Sequence, residues 1–400
     1  MNRWGKRYLV KLDKPEKFRW HQRNYTAKHT LTLDQKTYYI VKDLSGNKRE
    51  RYMAFDRWTK RTGEMWCILG IDGRNLSTKL QPPGLVERLK IFSGNDGRLP
   101  VIFNYHQVKG KGGRVYLVTS WTEGEDLGSY LERVKAGDEC ARVGEKCVQK
   151  KINCLRKKEI GQRCEPRPTT WEVCSLMSGL AHGLYQLHRL NMVHGDLNPR
   201  NLILQQNPNR LVMIDFGSAW LVEHTIDRDP GDGSISKYAA PELSLNQPFV
   251  DMRSDQFSFG VLWYELLTLK LPYGGYGGGL VKHKPDKRDK VEQRYEPPSQ
   301  AAMILGRDKY LLPREAWLLM DRIIGRCLEL DPDKRYPKDR DLLDDVDELW
   351  RVLRPKRLSI SNQQFLKILD GLYKIIYTVK KALRRIWYRI TATVINRTKQ

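Results

Sequence analysis

Hydrophobic and polar positions alternate along Lys36–Lys42, as expected of a half-buried β-strand. A second apolar stretch, Val115–Val118, leads into a polar turn, which is typical of a buried strand followed by a helix start. Farther along, apolar residues recur at helical spacing: Val173, Leu176, Met177, Leu180, Leu184 and Leu187. The pattern predicts a mostly β region up to about residue 118 and a helical region from about 127 to 354.

The residues after about Pro355 are predicted to form a separate element. Apolar side chains recur there at helical spacing among lysines and arginines, from Phe365 through Leu372 and Leu383 to Ile390. We predict one basic amphipathic helix within residues 355–400. Three alternatives fit this helix equally: it lies on an anionic membrane surface, binds an acidic protein, or packs on the preceding domain.

The chain is strongly basic: its 400 residues include 71 Lys and Arg and 47 Asp and Glu, which gives a net charge of +24. Such an excess attracts anionic lipid, acidic protein or nucleic acid, or it is simply a solvated face. Nucleic acid is not the favoured partner. No apolar run approaches the roughly 20 residues that span a bilayer, and no apolar N-terminal stretch follows Met1. We therefore expect a cytoplasmic protein, peripheral at the membrane if the basic helix binds lipid.

Four of the seven cysteines cluster in a predicted insertion, residues 137–168: Cys140, Cys147, Cys154 and Cys164. Four thiolates can hold zinc, but the spacing lacks the CxxC pairs of common zinc sites. Solvated free thiols are favoured over zinc and over a disulfide or redox role.

The candidate chemistry lies in two short motifs. The segment His194–Asn201 reads HGDLNPRN, and an apolar run from Leu211 ends in Ile214-Asp215-Phe216-Gly217. Phosphoryl transfer needs a carboxylate near the attacking hydroxyl and oxygen ligands for magnesium, and these motifs supply both.

Three further motifs follow in order: Ala240-Pro241-Glu242, the segment Ser254–Leu267 and the segment Leu330–Pro337. With them, residues 20–354 resemble a bacterial-type serine/threonine protein kinase. The resemblance implies an α+β, two-lobed fold with a mostly β N-lobe and a helical C-lobe. A basic segment, 1–19, would precede this domain, and the basic helix would follow it.

The resemblance also implies roles for individual residues. Asp196 would act as the base, and Asn201 and Asp215 would bind Mg²⁺, with Mn²⁺ as an alternative. Lys42 would contact the phosphates of ATP, with Glu64 as its partner on a following helix. The acceptor would be a hydroxyl of a protein substrate, serine or threonine by family default.

The nucleotide base would lie against Val115–Leu127 by the same resemblance. Thr119 would face the back of the adenine pocket, and the backbone of Ser120, Trp121 and Thr122 would contact adenine. Asp126 would approach the ribose. Two further assignments are structural: Asp255 would hold the catalytic loop backbone, and Arg335 would pair with Glu242.

Three departures from the family pattern are visible. The expected glycine-rich hairpin has no glycine between Phe18 and Lys28. Gly195 stands where many kinases have an arginine, and Asn198 stands where serine/threonine kinases usually have a lysine. Arg200 is expected to supply that missing charge. Two alternatives to a protein kinase stay open: a pseudokinase scaffold with basic partner-binding surfaces, and a small-molecule phosphotransferase of the aminoglycoside and choline kinase-like group.

Overall fold

The computed structural model describes residues 9–45, 50–58, 63–72, 98–100, 102–108, 114–143, 167–206, 209–222, 236–244, 250–282, 295–301 and 312–354. Those up to Leu353 belong to one compact unit. The predicted basic helix after Pro355 and the four clustered cysteines lie outside the residues whose side chains are described, so these predictions are untested.

The N-terminal part is a seven-stranded antiparallel sheet. Its strands are β1 Leu9–Trp20, β2 Arg23–Leu33, β3 Lys36–Asp43, β4 Glu50–Arg57, β5 Gly63–Asp72, β6 Ile102–Val108 and β7 Arg114–Ser120. The order in the sheet is β1-β2-β3-β4-β5-β7-β6, so β7 lies between β5 and the edge strand β6. The first five strands are neighbours in sequence and in space, which needs only short turns.

Side chains alternate between the two faces of this sheet. On one face, Tyr52 and Ala54 of β4 pack with Trp66 and Ile68 of β5. On the other face, Met53 and Phe55 pack with Met65 and with the aromatic side chains of β1. Both faces are buried in the central strands, which explains the unbroken apolar runs Tyr52–Phe55 in β4 and Met65–Leu69 in β5.

The sheet curls so that strands far apart in its order meet. Trp20 at the end of β1 donates its indole N–H to Glu64 of β5 at 3.2 Å. At the opposite side, the Tyr38 hydroxyl of β3 lies 3.3 Å from His106 Nε2 of β6. The turn between β1 and β2 has positive φ at His21 and Gln22, 42° and 63°. Two such residues make the type I′ turn that suits the twist of a hairpin.

The C-terminal part is helical. Its helices are α1 Leu127–Val143, α2 Thr170–His188, α3 Pro241–Ser244, α4 Arg253–Thr268, α5 Arg314–Cys327 and α6 Asp339–Leu353, and its short strands are β8 Glu125–Asp126, β9 Met192–Val193, β10 Leu202–Gln206, β11 Asn209–Met213 and β12 Trp220–Leu221. A capping box of Thr169 and Glu172 starts α2. Helix α4 is buried along almost its whole length. No described helix is long and apolar enough to cross a membrane. The α+β prediction, with a mostly β N-lobe and a helical C-lobe, is confirmed.

A buried ion pair joins the start of α3 to the turn before α6. Arg335 and Glu242 are 1% and 3% exposed, and Nη1 and Nη2 donate to the two carboxylate oxygens at 2.6 and 2.9 Å. The guanidinium also donates to the carbonyls of Glu329 and Arg253, both at 2.8 Å. The predicted pairing is confirmed, and the carbonyls satisfy the donors that the carboxylate does not reach.

Candidate active site

The loop that carries Asp196 is held from below by Asp255 of α4. The backbone N–H groups of His194 and Gly195 donate to the two oxygens of Asp255 at 2.7 and 3.0 Å. Because both oxygens accept from one short stretch of backbone, the loop has one orientation relative to α4. The prediction that Asp255 holds this loop is confirmed.

His188 adds a third contact to the same carboxylate. Its Nε2 lies 3.0 Å from Asp255, and its Nδ1 lies 3.0 Å from Asp339. Burial alone would lower the pKa of His188, but Asp339 and Asp255 outweigh burial and raise that pKa to about 10. His188 is therefore a buried cation between two carboxylates at neutral pH, which lowers the cost of burying them.

Gly195 is required by the loop conformation. Its φ is +72°, and a Cβ at this position would overlap the ring of Trp220 and crowd the Ser218 carbonyl. The arginine that many kinases have at this position would meet the same obstruction in this structure. The departure seen in the sequence thus has a steric cause.

The carboxylate of Asp196 is oriented by two amide side chains. Asn198 Nδ2 donates to Oδ1 at 2.9 Å, and Asn201 Nδ2 donates to Oδ2 at 3.1 Å. Both amides also donate to the Asp196 carbonyl, at 3.0 and 2.8 Å. Asn198 was noted in the sequence for replacing a lysine, but its contact with Asp196 could not be read from the sequence.

The segment that carries Asp215 lies beside the loop that carries Asp196, because the two are hydrogen-bonded to each other. The Ile214 N–H donates to the Asn201 carbonyl at 2.9 Å, and His194 Nε2 lies 3.2 Å from the Ile214 carbonyl. Asp215 has φ of 66°, in the left-handed region. Phe216 is buried against His194, with ring centroids 5.3 Å apart. The structure thus brings Asp196, Asn201 and Asp215 together.

The chemistry of these groups fits magnesium. Asp215 offers a carboxylate, and the amide oxygen of Asn201 remains for a metal because its nitrogen is used by Asp196. Magnesium takes hard oxygen ligands and usually combines one or two protein groups with phosphate oxygens and water. No wider protein cage is needed.

The expected adenine site lies at the end of β7. Thr119 is 9% exposed and pairs with Cys67 of the neighbouring strand β5. The Trp121 N–H donates to the Met65 carbonyl at 3.1 Å, so this amide already has a partner within the protein. The expected base contacts of Ser120, Trp121 and Thr122 stay a prediction, in which Trp121 would contribute through its carbonyl, while its ring packs against the β1 aromatic cluster.

Asp126 has a local structural role. Its two carboxylate oxygens accept from the N–H of Ser129 at 2.9 Å and from its hydroxyl at 2.7 Å, which caps the start of α1. Arg200 is exposed, and its side chain lies beside Gly128 at the start of α1. Its backbone N–H donates to Asn198 Oδ1 at 3.0 Å. Ribose contact by Asp126 and charge supply by Arg200 stay predictions.

Glu64 does not lie on a helix. The segment Gly63–Asp72 is strand β5, and Glu64 accepts the Trp20 indole N–H. The helix prediction was wrong because a strand buried on both faces has a near-continuous apolar sequence that periodicity cannot separate from a helix. Two nearby carboxylates of β4, Glu50 and Asp56, bind Tyr116 and Lys36, at 2.9 and 2.7 Å.

Lys42 is exposed at the end of β3, and β4 and β5 separate this strand from β7. Arg51 of β4, which the sequence reasoning missed, instead donates through Nη2 to Asp215. The hairpin of Phe18–Lys28 stands where the family has a glycine-rich loop. Its tip reaches the segment after β7, with His21 Nδ1 3.7 Å from Glu123.

Comparisons with known proteins show the family of the chain. The protein kinase domain family matches residues 89–345, more than half of the chain. The chain belongs to the protein kinase family.

Among curated relatives, it is 31% identical over 175 residues to the serine/threonine-protein kinase pkn2 of Myxococcus xanthus, covering 42% of this chain and 19% of that protein. It is 30% identical over 170 residues to myosin light chain kinase A of Dictyostelium discoideum, covering 41% and 50%. The chain thus spans less than two thirds of the length of these relatives. Among solved structures, the PknI kinase domain of Mycobacterium tuberculosis has 16% identity and a TM-score of 0.47, with 80% of this chain and 98% of that domain covered.

Proposed function

We propose that this chain is an ATP-dependent protein kinase that transfers the γ-phosphoryl group to serine or threonine hydroxyls of a protein substrate. One observation carries the proposal: Asn201 binds Asp196 through its side chain and the Asp215 segment through its backbone. These hydrogen bonds connect the proposed base with the two proposed metal ligands, which supports the proposal because phosphoryl transfer depends on the positioning of such groups.

Each group has a definite task in this proposal. Asp196 accepts the proton of the attacking hydroxyl, and the two amides that hold its carboxylate fix the direction from which the hydroxyl approaches. Asn201 and Asp215 would hold Mg²⁺, which would offset the charge of the nucleotide phosphates. The backbone of Ser120, Trp121 and Thr122 would bind adenine, with Thr119 behind it. Asp126 would reach the ribose only if it releases Ser129 or shares its oxygens.

Serine and threonine are proposed as acceptors because the relatives in bacteria are named serine/threonine kinases. The basic helix predicted for residues 355–400 remains a separate proposal, with an anionic membrane surface or an acidic protein as its partner. We also propose a domain boundary at about residue 354 and a cytoplasmic location.

The test is Asp196→Asn, measured by transfer of label from γ-labelled ATP to a generic basic protein. We expect kcat to fall by about 100-fold or more and KM for ATP to stay within threefold, because the base acts on the acceptor. Asp344→Asn is the matched control, since this carboxylate is exposed and pairs only locally with Arg340, at 3.0 Å. Unchanged transfer by Asp196→Asn would refute the assignment of the base.

A further inference from the structure

Strand β5, GEMWCILGID, is one of the two neighbours of β7, pairs with it from Trp66 to Asp72, and contains neither lysine nor arginine. A kinase site needs a cation on the nucleotide phosphates, because the transferred group and its neighbours carry several negative charges. Among the described residues, that cation therefore has to come from outside β5.

Arg51 has the position that this role needs. It lies on β4 opposite Leu69 of β5, and its guanidinium pairs with the carboxylate of Asp215. The side chains of Arg51 and Asp215 are 22% and 7% exposed, so the pair is partly withdrawn from water. Ion pairs in such places are screened less than surface pairs.

The backbone of Arg51 is also fixed. Its carbonyl accepts from the Leu44 N–H at 2.8 Å, and its N–H donates to the Ser45 hydroxyl at 3.0 Å. These bonds tie β4 to the connection that follows β3. Arg51 is therefore held between that connection and the proposed metal ligand.

Cys67 lies close to this pair. It is opposite Met53 on β4 and opposite Thr119 on β7, so it occupies the strand between Arg51 and the expected base site. Burial raises the pKa of the Cys67 thiol to about 11, although the charge of Arg51 acts in the opposite direction. The thiol is neutral at pH 7 and does not compete with Asp215 for the guanidinium.

We propose that Arg51 is the phosphate-binding cation of this site, in the role that the sequence pattern assigned to Lys42. The inference rests on the proposed function. Without nucleotide, Arg51 neutralises Asp215. When magnesium and ATP bind, Asp215 turns to the metal and the guanidinium turns to the phosphates. The planar guanidinium can donate two parallel N–H groups to two phosphate oxygens, a fixed geometry that the ammonium of a lysine lacks.

The test compares the affinities of the full chain for ATP and for adenosine, both measured with magnesium by displacement of a fluorescent adenosine analogue. Adenosine lacks phosphates and reports the base and ribose sites alone. For Arg51→Met we expect ATP affinity to fall about 10- to 100-fold and adenosine affinity to stay within twofold. Arg51→Lys should lose less ATP affinity than Arg51→Met, because it keeps the charge.

Arg57→Met is the matched control. Arg57 is on the same strand, is 28% exposed and pairs with Glu16 at 2.8 Å, but it lies away from Asp215. Its ATP-to-adenosine affinity ratio should match that of the native chain. An equal loss of both ligands in Arg51→Met, with Arg51→Lys no better, would show a merely structural residue and overturn the proposal.

Lys42→Met tests the rival assignment. A selective loss of ATP affinity in Lys42→Met, with none in Arg51→Met, would overturn the proposal in favour of Lys42. The measurement needs no turnover, so it can succeed even if phosphoryl transfer is absent and the proposed function fails.

Discussion

Asp255→Asn tests how strongly α4 holds the catalytic loop. Three donors converge on the Asp255 carboxylate: the N–H groups of His194 and Gly195 at 2.7 and 3.0 Å, and His188 Nε2 at 3.0 Å. An asparagine offers one acceptor oxygen, and its NH₂ must face one of these donors. Each hydrogen bond to a charged group contributes about 1.5–3 kcal/mol, and removing one partner of a buried ion pair costs about 3–5 kcal/mol. We expect a loss of about 3–5 kcal/mol.

Urea unfolding followed by far-UV circular dichroism measures this loss. With an m-value of about 3 kcal/mol/M, the midpoint should fall by roughly 1–1.7 M. Asp333→Asn is the control, because Asp333 is 83% exposed and pairs with Arg253 at the surface, so its change should stay below about 1 kcal/mol. A loss below about 1 kcal/mol for Asp255→Asn would refute the view that this carboxylate anchors the loop.

Three further predictions concern the same framework. Glu242→Gln should lower the free energy of unfolding in urea by about 3–5 kcal/mol, because it leaves Arg335 buried without its counter-charge. Adding Arg335→Met should recover part of this loss, and no recovery would contradict the explanation. Gly195→Ala should cost about 2 kcal/mol or more and lower kcat, because φ of +72° and the Trp220 ring both oppose a Cβ; a neutral result would show that the loop adapts. The free energy of unfolding should fall as pH rises from about 6.5 to 10, because folded His188 keeps a proton that the unfolded chain loses. His188→Gln should flatten this pH dependence. An equally steep fall in the variant would assign the pH dependence to other groups.

The catalytic loop was predictable from the sequence because its function depends on short spacings. Asp196 and Asn201 are five positions apart, and Asp215 follows an apolar strand, so the motif fixes which groups meet. The structural roles of Asp255 and Arg335 also came from motif resemblance, and their hydrogen bonds agree with it. The motif did not reveal that Asn198 donates a hydrogen bond to Asp196, because this contact depends on the folded loop.

For the N-lobe, the sequence predicted the fold class, a mostly β region, but not the arrangement of its strands. The alternation at Lys36–Lys42 does mark a strand, but alternation does not say which strands lie beside each other. Three strands of similar character, β3, β4 and β5, precede β7, and only their order shows that β5 is its neighbour. Arg51 was missed for the same reason: its partner Asp215 is 164 positions away in the sequence.

The most direct test of the central claim is transfer of label from γ-labelled ATP by the native chain with magnesium, followed by phosphoamino-acid analysis of the protein products. The account predicts phosphoserine or phosphothreonine, formed by the native chain and abolished by Asp196→Asn. ATP binding without any labelled protein, in the native chain as in the variant, would contradict it.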